Sequence, residues 1–379
     1  MNLFLEYQKK IILLLNELKG KNIIDCPEEI KNLTVELPPK ENNADISCNA
    51  ALILAKFNKK SPKVIGLILK NEMLKKFPEF EKIDLANQGF LNINLNINFW
   101  KNYLFDVIKK KSTYGSDNNF KKKYNLEFVS ANPTGPLHVG HCRGAVLGDA
   151  LSNLLKFNGN NVIKEYYVND YGGQIISFVN SVYYRIIELK ENKKFPNNKN
   201  LYPGDYIIDI AKLIIDSNKI DDFSSVDKIY NVLSAESIKI SVDLIKENLK
   251  LLGINHDNFV YESNLIKNNL VNKTIENLKK DNFVYNGKLS PPKGEVNKAW
   301  KAREQLLFNS TKFGDDTDRS LKKEDGTWTY FASDIAYHGD KINRGFDILV
   351  NILGADHAGY IKRITAATKA ISRDKTNLV

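Results

Sequence analysis

The spacing of apolar and polar positions changes period several times along this chain, and each change marks an element. Leu3, Phe4, Ile11, Leu14, Leu15 and Leu18 fall on one face of a 3.6-residue repeat, which predicts a helix over Asn2–Leu18. The same period predicts helices over Cys48–Phe57 and Ser61–Lys76. Residues 90–97 alternate strictly, Phe-Leu-Asn-Ile-Asn-Leu-Asn-Ile, and with Ile30–Leu37 they are the strand candidates of this region. Mixed helices and short strands predict a small α+β domain over residues 1–112. A charged stretch poor in apolar residues follows, and 113–123 reads as a linker.

The pattern from residue 124 to 379 is different. Tyr124–Val129 alternates and is rich in strand formers. Ser130–Leu137 carries two prolines, a glycine and an Asn-Pro step, and can continue neither strand nor helix. From His138 the sequence reads as a helix with small residues on one side, and Asn161–Val168 is again a strand. Together these make a βαβ unit. The next strand expected in the same sheet is Phe346–Leu353. Between them, Gln174 to about Asn286 is helical by pattern apart from the polar loop Glu191–Tyr202, so 174–300 is expected to be a helical insertion. Leu321–Phe331, around Asp325-Gly326, reads as a hairpin. The predicted fold class is α/β: a Rossmann-like parallel-sheet domain with a mostly helical insertion, preceded by the small α+β domain.

Composition adds bounds. A length of 379 residues suits about two to three domains. The apolar run Ile11–Leu15 is too short to span a bilayer and precedes no cleavage-like site, so a cytoplasmic protein without a membrane partner is expected. Cys26, Cys48 and Cys142 have no paired spacing, which argues against disulfides or zinc. The net charge of +10 suits an RNA partner, although lysines spread along the chain would also solvate an ordinary surface.

The chemistry concentrates in His138-Val-Gly-His141, at the start of the helix after the proline-rich loop. A helix N-terminus offers free N–H groups and a positive dipole end, and imidazole donors added there make a site for phosphate. A metal on the same H-x-x-H pair would need further ligands, and Cys142 alone is near in sequence.

Residues 130–151, Ser-Ala-Asn-Pro-Thr-Gly-Pro-Leu-His-Val-Gly-His onward, resemble the extended signature of class I aminoacyl-tRNA synthetases, and among them the arginyl-tRNA synthetase family. Glu165–Ile175, Phe313–Lys341 and Ile352–Arg363 resemble further segments of that family in the same order. The likeness runs from about Ala44 to the end and is looser before the linker. It implies arginine activation by ATP, with Mg2+ carried on the phosphates, then transfer to the terminal adenosine of tRNA. His138 and His141 are then the catalytic pair. Pro133, Gly135, His138, Gly140, His141, Asp356 and His357 are implied at ATP. Glu127, Ser130, Asn132, Tyr330 and Asp334 are implied at arginine. Tyr330 and Asp334 are i and i+4, so they share a face if helical. Glu127 and Asp334 are the anions that a guanidinium demands. Asn87, Phe90 and Asn92 resemble the place where the family's N-terminal domain contacts tRNA. Asp170, Tyr171, Gly172 and Gln174 resemble residues near arginine and the terminal adenosine, although Asp170 is equally a candidate helix cap. The expected partners are arginine, ATP and tRNA, not DNA, and the expected state is a monomer.

The family pattern continues with a lysine-serine phosphate loop of KMSKS type and a helical anticodon-binding domain. Neither follows Arg363, so the chain is expected to be a fragment with little aminoacylation activity. Two other functions stay open: an HxGH nucleotidylyltransferase, marked by pyrophosphate exchange without arginine, and a non-catalytic synthetase-like tRNA binder, marked by tRNA affinity without adenylate formation.

Overall fold

In the computed structural model, residues 2–86, 88–116, 121–289, 303–354 and 359–379 are described. The chain forms two compact units, Met1–Asp117 and Asn118–Val379.

The first unit has a four-stranded sheet of β1 (Val35–Glu36), β2 (Ile46–Cys48), β3 (Phe80–Leu85) and β4 (Leu91–Leu95), in the order β1-β2-β4-β3 with antiparallel neighbours. Its helices are α1 (Leu3–Gly20), α2 (Ala50–Asn58), α3 (Pro62–Lys76) and α4 (Ile97–Lys110). The stripe read in the sequence is the buried face of α1: Ile11, Leu14, Leu15 and Leu18 pack with Ile46, Leu54, Leu69 and Ile93 in one core. Ser61 accepts from the Val64 N–H and Pro62 occupies the first turn, so α3 begins where an N-cap followed by proline dictates. The strand expected over Ile30–Leu37 is reduced to Val35–Glu36, and β2, β3 and α4 had not been expected.

The second unit is built on five parallel strands in the order β12-β11-β5-β6-β7. These are β5 (Lys123–Glu127), β6 (Asn161–Val168), β7 (Asn258–Tyr261), β11 (Ile348–Asn351) and β12 (Asn377–Leu378). β5 leads through α5 (Val139–Phe157) to β6, as the βαβ pattern predicts. Helices α6 (Gly173–Glu191), α7 (Asp205–Asp216) and α8 (Val226–Leu251) then bring the chain to β7. The sequence reading is corrected here: the expected helical insertion is interrupted by β7, which adds to β6 at the sheet edge. Four residues between helices carry too little periodicity to announce a strand. After β7 come α9 (Glu262–Lys267), α10 (Leu270–Lys280) and an antiparallel sheet of β8 (Val284–Gly287), β9 (Gln305–Phe308) and β10 (Arg319–Ser320). The expected hairpin is a single Lys322–Trp328 bridge around Gly326, and Phe331 already belongs to α11 (Tyr330–Asn343). α12 (Ile361–Ser372) precedes β12.

In a doubly wound sheet, ligands bind outside the carboxyl ends of the strands where the strand order reverses. Here that point lies between β5 and β11, because β5 continues to β6 on one side and the chain returns to β11 on the other. Phe128, fully buried, anchors the end of β5 against α5. A Cβ built on Gly148 would lie 2.3 Å from the Phe128 ring, so only glycine lets the helix approach this closely. Gly148→Ala is expected to cost about 1–3 kcal/mol by overpacking. A urea melt unchanged from wild type would disprove the close approach.

Candidate active site

The loop after β5 is strained and tied down. Val129 and Ser130 adopt φ of 71° and 40°, and a β-branched residue rarely does so. The turn aims Ser130 back at the strand: its hydroxyl donates to Glu127 Oε1 (2.9 Å) and accepts from the Tyr167 N–H (3.1 Å). Tyr166 donates to the Ala131 carbonyl and Tyr206, from α7, to the Thr134 carbonyl, each at 2.8 Å. Pro133 is buried, Gly135 lies against the Tyr206 ring, and exposed Asn132 donates to Gln174 Oε1 (2.6 Å).

The two histidines form an imidazole capping box on α5. His138 Nδ1 accepts from the Gly140 N–H (3.2 Å), and His141 Nδ1 accepts from the His138 N–H (3.3 Å). The rings stack with centroids 3.8 Å apart. Because each Nδ1 is an acceptor, each neutral ring carries its proton on Nε2. Burial and the neighbouring His138 hold His141 below the usual histidine range, which favours that neutral form. Two Nε2–H donors therefore stand at a helix N-terminus, where the backbone already favours an anion. A Cβ on Gly140 would lie 3.0 Å from the His138 ring, so this glycine keeps the cap in place.

Inside the crevice, α11 supplies a polar stripe that the sequence reading largely missed. Glu127 and Glu165 are register partners on β5 and β6, so two buried carboxylates lie side by side. Each has its own cation, Lys341 on α11 and Arg344 at the cap that ends it. Lys341 Nζ donates to Glu127 Oε2 (2.5 Å) and Asn351 Oδ1 (3.1 Å). Arg344 binds Glu165 through two bonds of 2.5 and 2.8 Å, and Tyr337 and Asn258 add one each at 2.8 Å. Asn351 also meets His338 Nε2 (2.9 Å), whose Nδ1 lies 2.8 Å from the Asp334 carbonyl. Burial and the Lys341 charge lower His338 to about 4, so it is neutral. The missed signal was the spacing Asp334, Tyr337, His338, Lys341: polar side chains on the stripe that an amphipathic helix buries.

Tyr330 and Asp334 do share α11, with Tyr330 68% exposed and Asp334 recessed. Asp334 accepts from the Tyr360 hydroxyl, and burial raises its carboxyl to about 7, opposed by that bond and by Lys341. Asp170 does not cap its own following helix; it accepts from the Ser263 N–H (2.8 Å) and hydroxyl (2.5 Å) at the start of α9. Asp356 and His357 lie outside the described residues, as does Asn87. In the first unit Phe90 is half-buried, and Asn92 is buried with its amide oxygen taken by Ser47 (2.8 Å). Among the described residues no cluster of histidine, cysteine, aspartate or glutamate could hold a metal ion, and no helix is long and apolar enough to cross a membrane.

The parallel sheet with its switch-point crevice and the HxGH cap on the first crossover helix define a class I aminoacyl-tRNA synthetase catalytic core. Residues 104–378 match the family model of class I (R) tRNA synthetase catalytic domains, and residues 6–95 match that of arginyl tRNA synthetase N-terminal domains. The chain belongs to the arginyl-tRNA synthetase family. It is 51% identical over 381 residues to an arginine–tRNA ligase of Pelagibacter ubique, covering all of this chain and 66% of that one. Identity to an arginine–tRNA ligase of Wolbachia pipientis subsp. Culex pipiens is 44%, with the same coverage. The arginyl-tRNA synthetase of Thermus thermophilus shares the fold over the whole chain and 65% of its own, with a TM-score of 0.67 at 19% identity. The chain thus spans about 66% of the length of the curated relatives it matches.

Proposed function

We propose that this chain carries the amino-acid-activating half of an arginine–tRNA ligase, acting in the cytoplasm as a monomer. ATP enters with Mg2+ on its phosphates. His138 and His141 donate Nε2–H to oxygens of the α-phosphate as the arginine carboxylate attacks and pyrophosphate leaves. Phosphoryl chemistry of this kind is catalysed by positioning and charge, and no side-chain nucleophile is needed. Gly140, Pro133 and Gly135 shape the nucleotide wall, with Asp356 and His357 proposed beside it. Ser130 and Asn132 hold the α-amino and carboxylate groups, Tyr330 borders the side chain, and Asp334 takes the guanidinium, with Glu127 at the inner wall. Residues 1–112 form the proposed tRNA-contacting domain, with Asn87, Phe90 and Asn92 as its proposed contacts, 113–123 the linker, and 124–379 the catalytic domain.

The observation that carries this reading is the pairing, in one unit, of an imidazole-capped helix N-terminus with Asp334, a recessed carboxylate that has no ion-pair partner among the described residues. The test is binding of a non-hydrolysable arginyl-adenylate analogue, the arginyl sulfamoyl adenosine, by calorimetry. The arginyl compound is expected to bind at least about 100-fold more tightly than the lysyl one, since a planar fork and a point charge differ at a carboxylate. His138→Ala with His141→Ala is expected to weaken it by about tenfold or more. Equal binding of both analogues would reject the arginine reading.

A further inference from the structure

On the reading just given, the loop after β5 serves two ligands: Ser130 and Asn132 hold arginine, whereas Pro133 and Gly135 wall the nucleotide. The two halves are anchored by different elements. The first is tied to the sheet and to α6: Ser130 bonds Glu127 and the Tyr167 N–H, Tyr166 donates to the Ala131 carbonyl, and Asn132 donates to Gln174 in the first turn of α6. The second cannot close on itself, because prolines at 133 and 136 remove two backbone donors. Among the described residues, residues 133–137 receive one side-chain bond, from the Tyr206 hydroxyl to the Thr134 carbonyl at 2.8 Å. The Tyr206 ring also lies along Gly135, where an added Cβ would stand 3.3 Å from its Cζ and its hydroxyl oxygen.

We infer that Tyr206 is a positioning residue for the nucleotide: from the helical insertion it holds the Thr134-Gly135 backbone where ATP phosphates meet the His138–His141 cap. Its own support is rigid. Tyr206 stands in the first turn of α7, whose Ile207, Ile210, Ala211 and Ile214 are buried in the core of the second unit. The turn before α7 is pinned to α6, since Arg185 donates to the Pro203 carbonyl (2.8 Å) and Ser181 accepts from the Tyr202 N–H (2.9 Å). Gly204 makes room for the ring. Its backbone, at φ −63° and ψ 153°, suits any residue, but an added Cβ would stand 2.5 Å from Tyr206 Cε1. Space rather than backbone freedom therefore calls for glycine here. Four residues separate Thr134 from His138, so a shift of the loop passes directly to the capping imidazoles. Phosphate contacts of that kind lose strength steeply when donors move by about 1 Å.

The experiment is calorimetric titration of ATP with Mg2+, and separately of arginine, into the full chain and its variants. Tyr206→Phe keeps the ring and loses the donor; it is expected to weaken ATP about three- to tenfold and to leave arginine within about twofold of wild type. Tyr206→Ala, which also removes the ring from Gly135, should weaken ATP further, so that phenylalanine restores part of the loss. Gly204→Ala retains the tyrosine but displaces its ring, and is expected to weaken ATP in the same selective way. Added to Tyr206→Ala, it should cost nothing more, because the ring it displaces is already gone. Loss of both ligands in parallel would mark a general structural defect and overturns the inference. ATP binding at wild-type strength in Tyr206→Phe and Gly204→Ala also overturns it; if Tyr206→Phe fails to fold, Gly204→Ala alone decides. Failure of the wild type to bind ATP or arginine overturns the underlying reading, and the inference with it.

Discussion

Lys341→Met is expected to lower the unfolding free energy of the second unit by about 3–5 kcal/mol, the range seen when one partner of a buried ion pair is removed. Lys341 is 0% exposed, and its ammonium is the only cation bonded to Glu127 among the described residues. Methionine keeps the volume and loses the charge. Glu127 would then be an anion in the core with the Ser130 hydroxyl as its remaining bond, beside a second carboxylate at Glu165. It has to take up a proton or pull water into the sheet. Either response displaces Ser130 and the loop that leads to His138. The companion Glu127→Gln removes the anion as well, and the double variant should recover most of the loss, because a well-packed neutral pair is often as stable as the ion pair it replaces. Chemical unfolding of the four members of the cycle measures this. A single Lys341→Met that melts within about 0.5 kcal/mol of wild type, the scatter of an ordinary surface change, would mean that the pair is wet and contributes little.

That ion pair also marks where sequence reading reached and where it stopped. The loop from Ser130 to Leu137 could be placed between strand and helix because proline and glycine forbid both, and the histidines then fell on a helix N-terminus by necessity. Glu127 was recognisable as a carboxylate at a strand end that needs a partner. Its partner lies 214 residues away on α11, and no local pattern connects the two. The Asp170–Ser263 contact was invisible for a similar reason: Ser263 follows β7, a strand too short to stand out between helices, and the parallel β6–β7 pairing brings it beside Asp170. Local chemistry is legible from spacing, whereas a buried charge network depends on which distant elements the sheet order makes neighbours. Polar residues on the buried stripe of α11 were the one sequence clue that such a network existed.

The second large effect concerns acid. Glu165 is 0% exposed; burial pushes its carboxyl up, but the Arg344 fork, the Lys341 and Arg344 charges and the Asn258 bond outweigh this and hold it at about 2, against 4.5 in an unfolded chain. A carboxyl whose folded pKa is depressed stabilises the fold fully above its unfolded value, and that contribution is lost as pH falls through the folded one. The window therefore runs from about pH 4.5 down to about 2, and the shift corresponds to about 3 kcal/mol. Asp334 and Glu262 act in the opposite sense and elsewhere. Their pKa values are raised to about 7, so they favour the fold at low pH and cost stability as pH rises from about 4 towards 7. The two effects separate on the pH axis, and a variant separates them further. Arg344→Met removes the largest group holding Glu165 down, so its deficit relative to wild type should be constant above pH 5 and shrink by about 3 kcal/mol towards pH 2. Urea unfolding of both proteins at half-unit steps from pH 6 to 2.5 measures the difference. A deficit that stays constant across that range would show that Glu165 does not owe its ionisation to Arg344, and the paired-carboxylate account of the crevice would have to be given up.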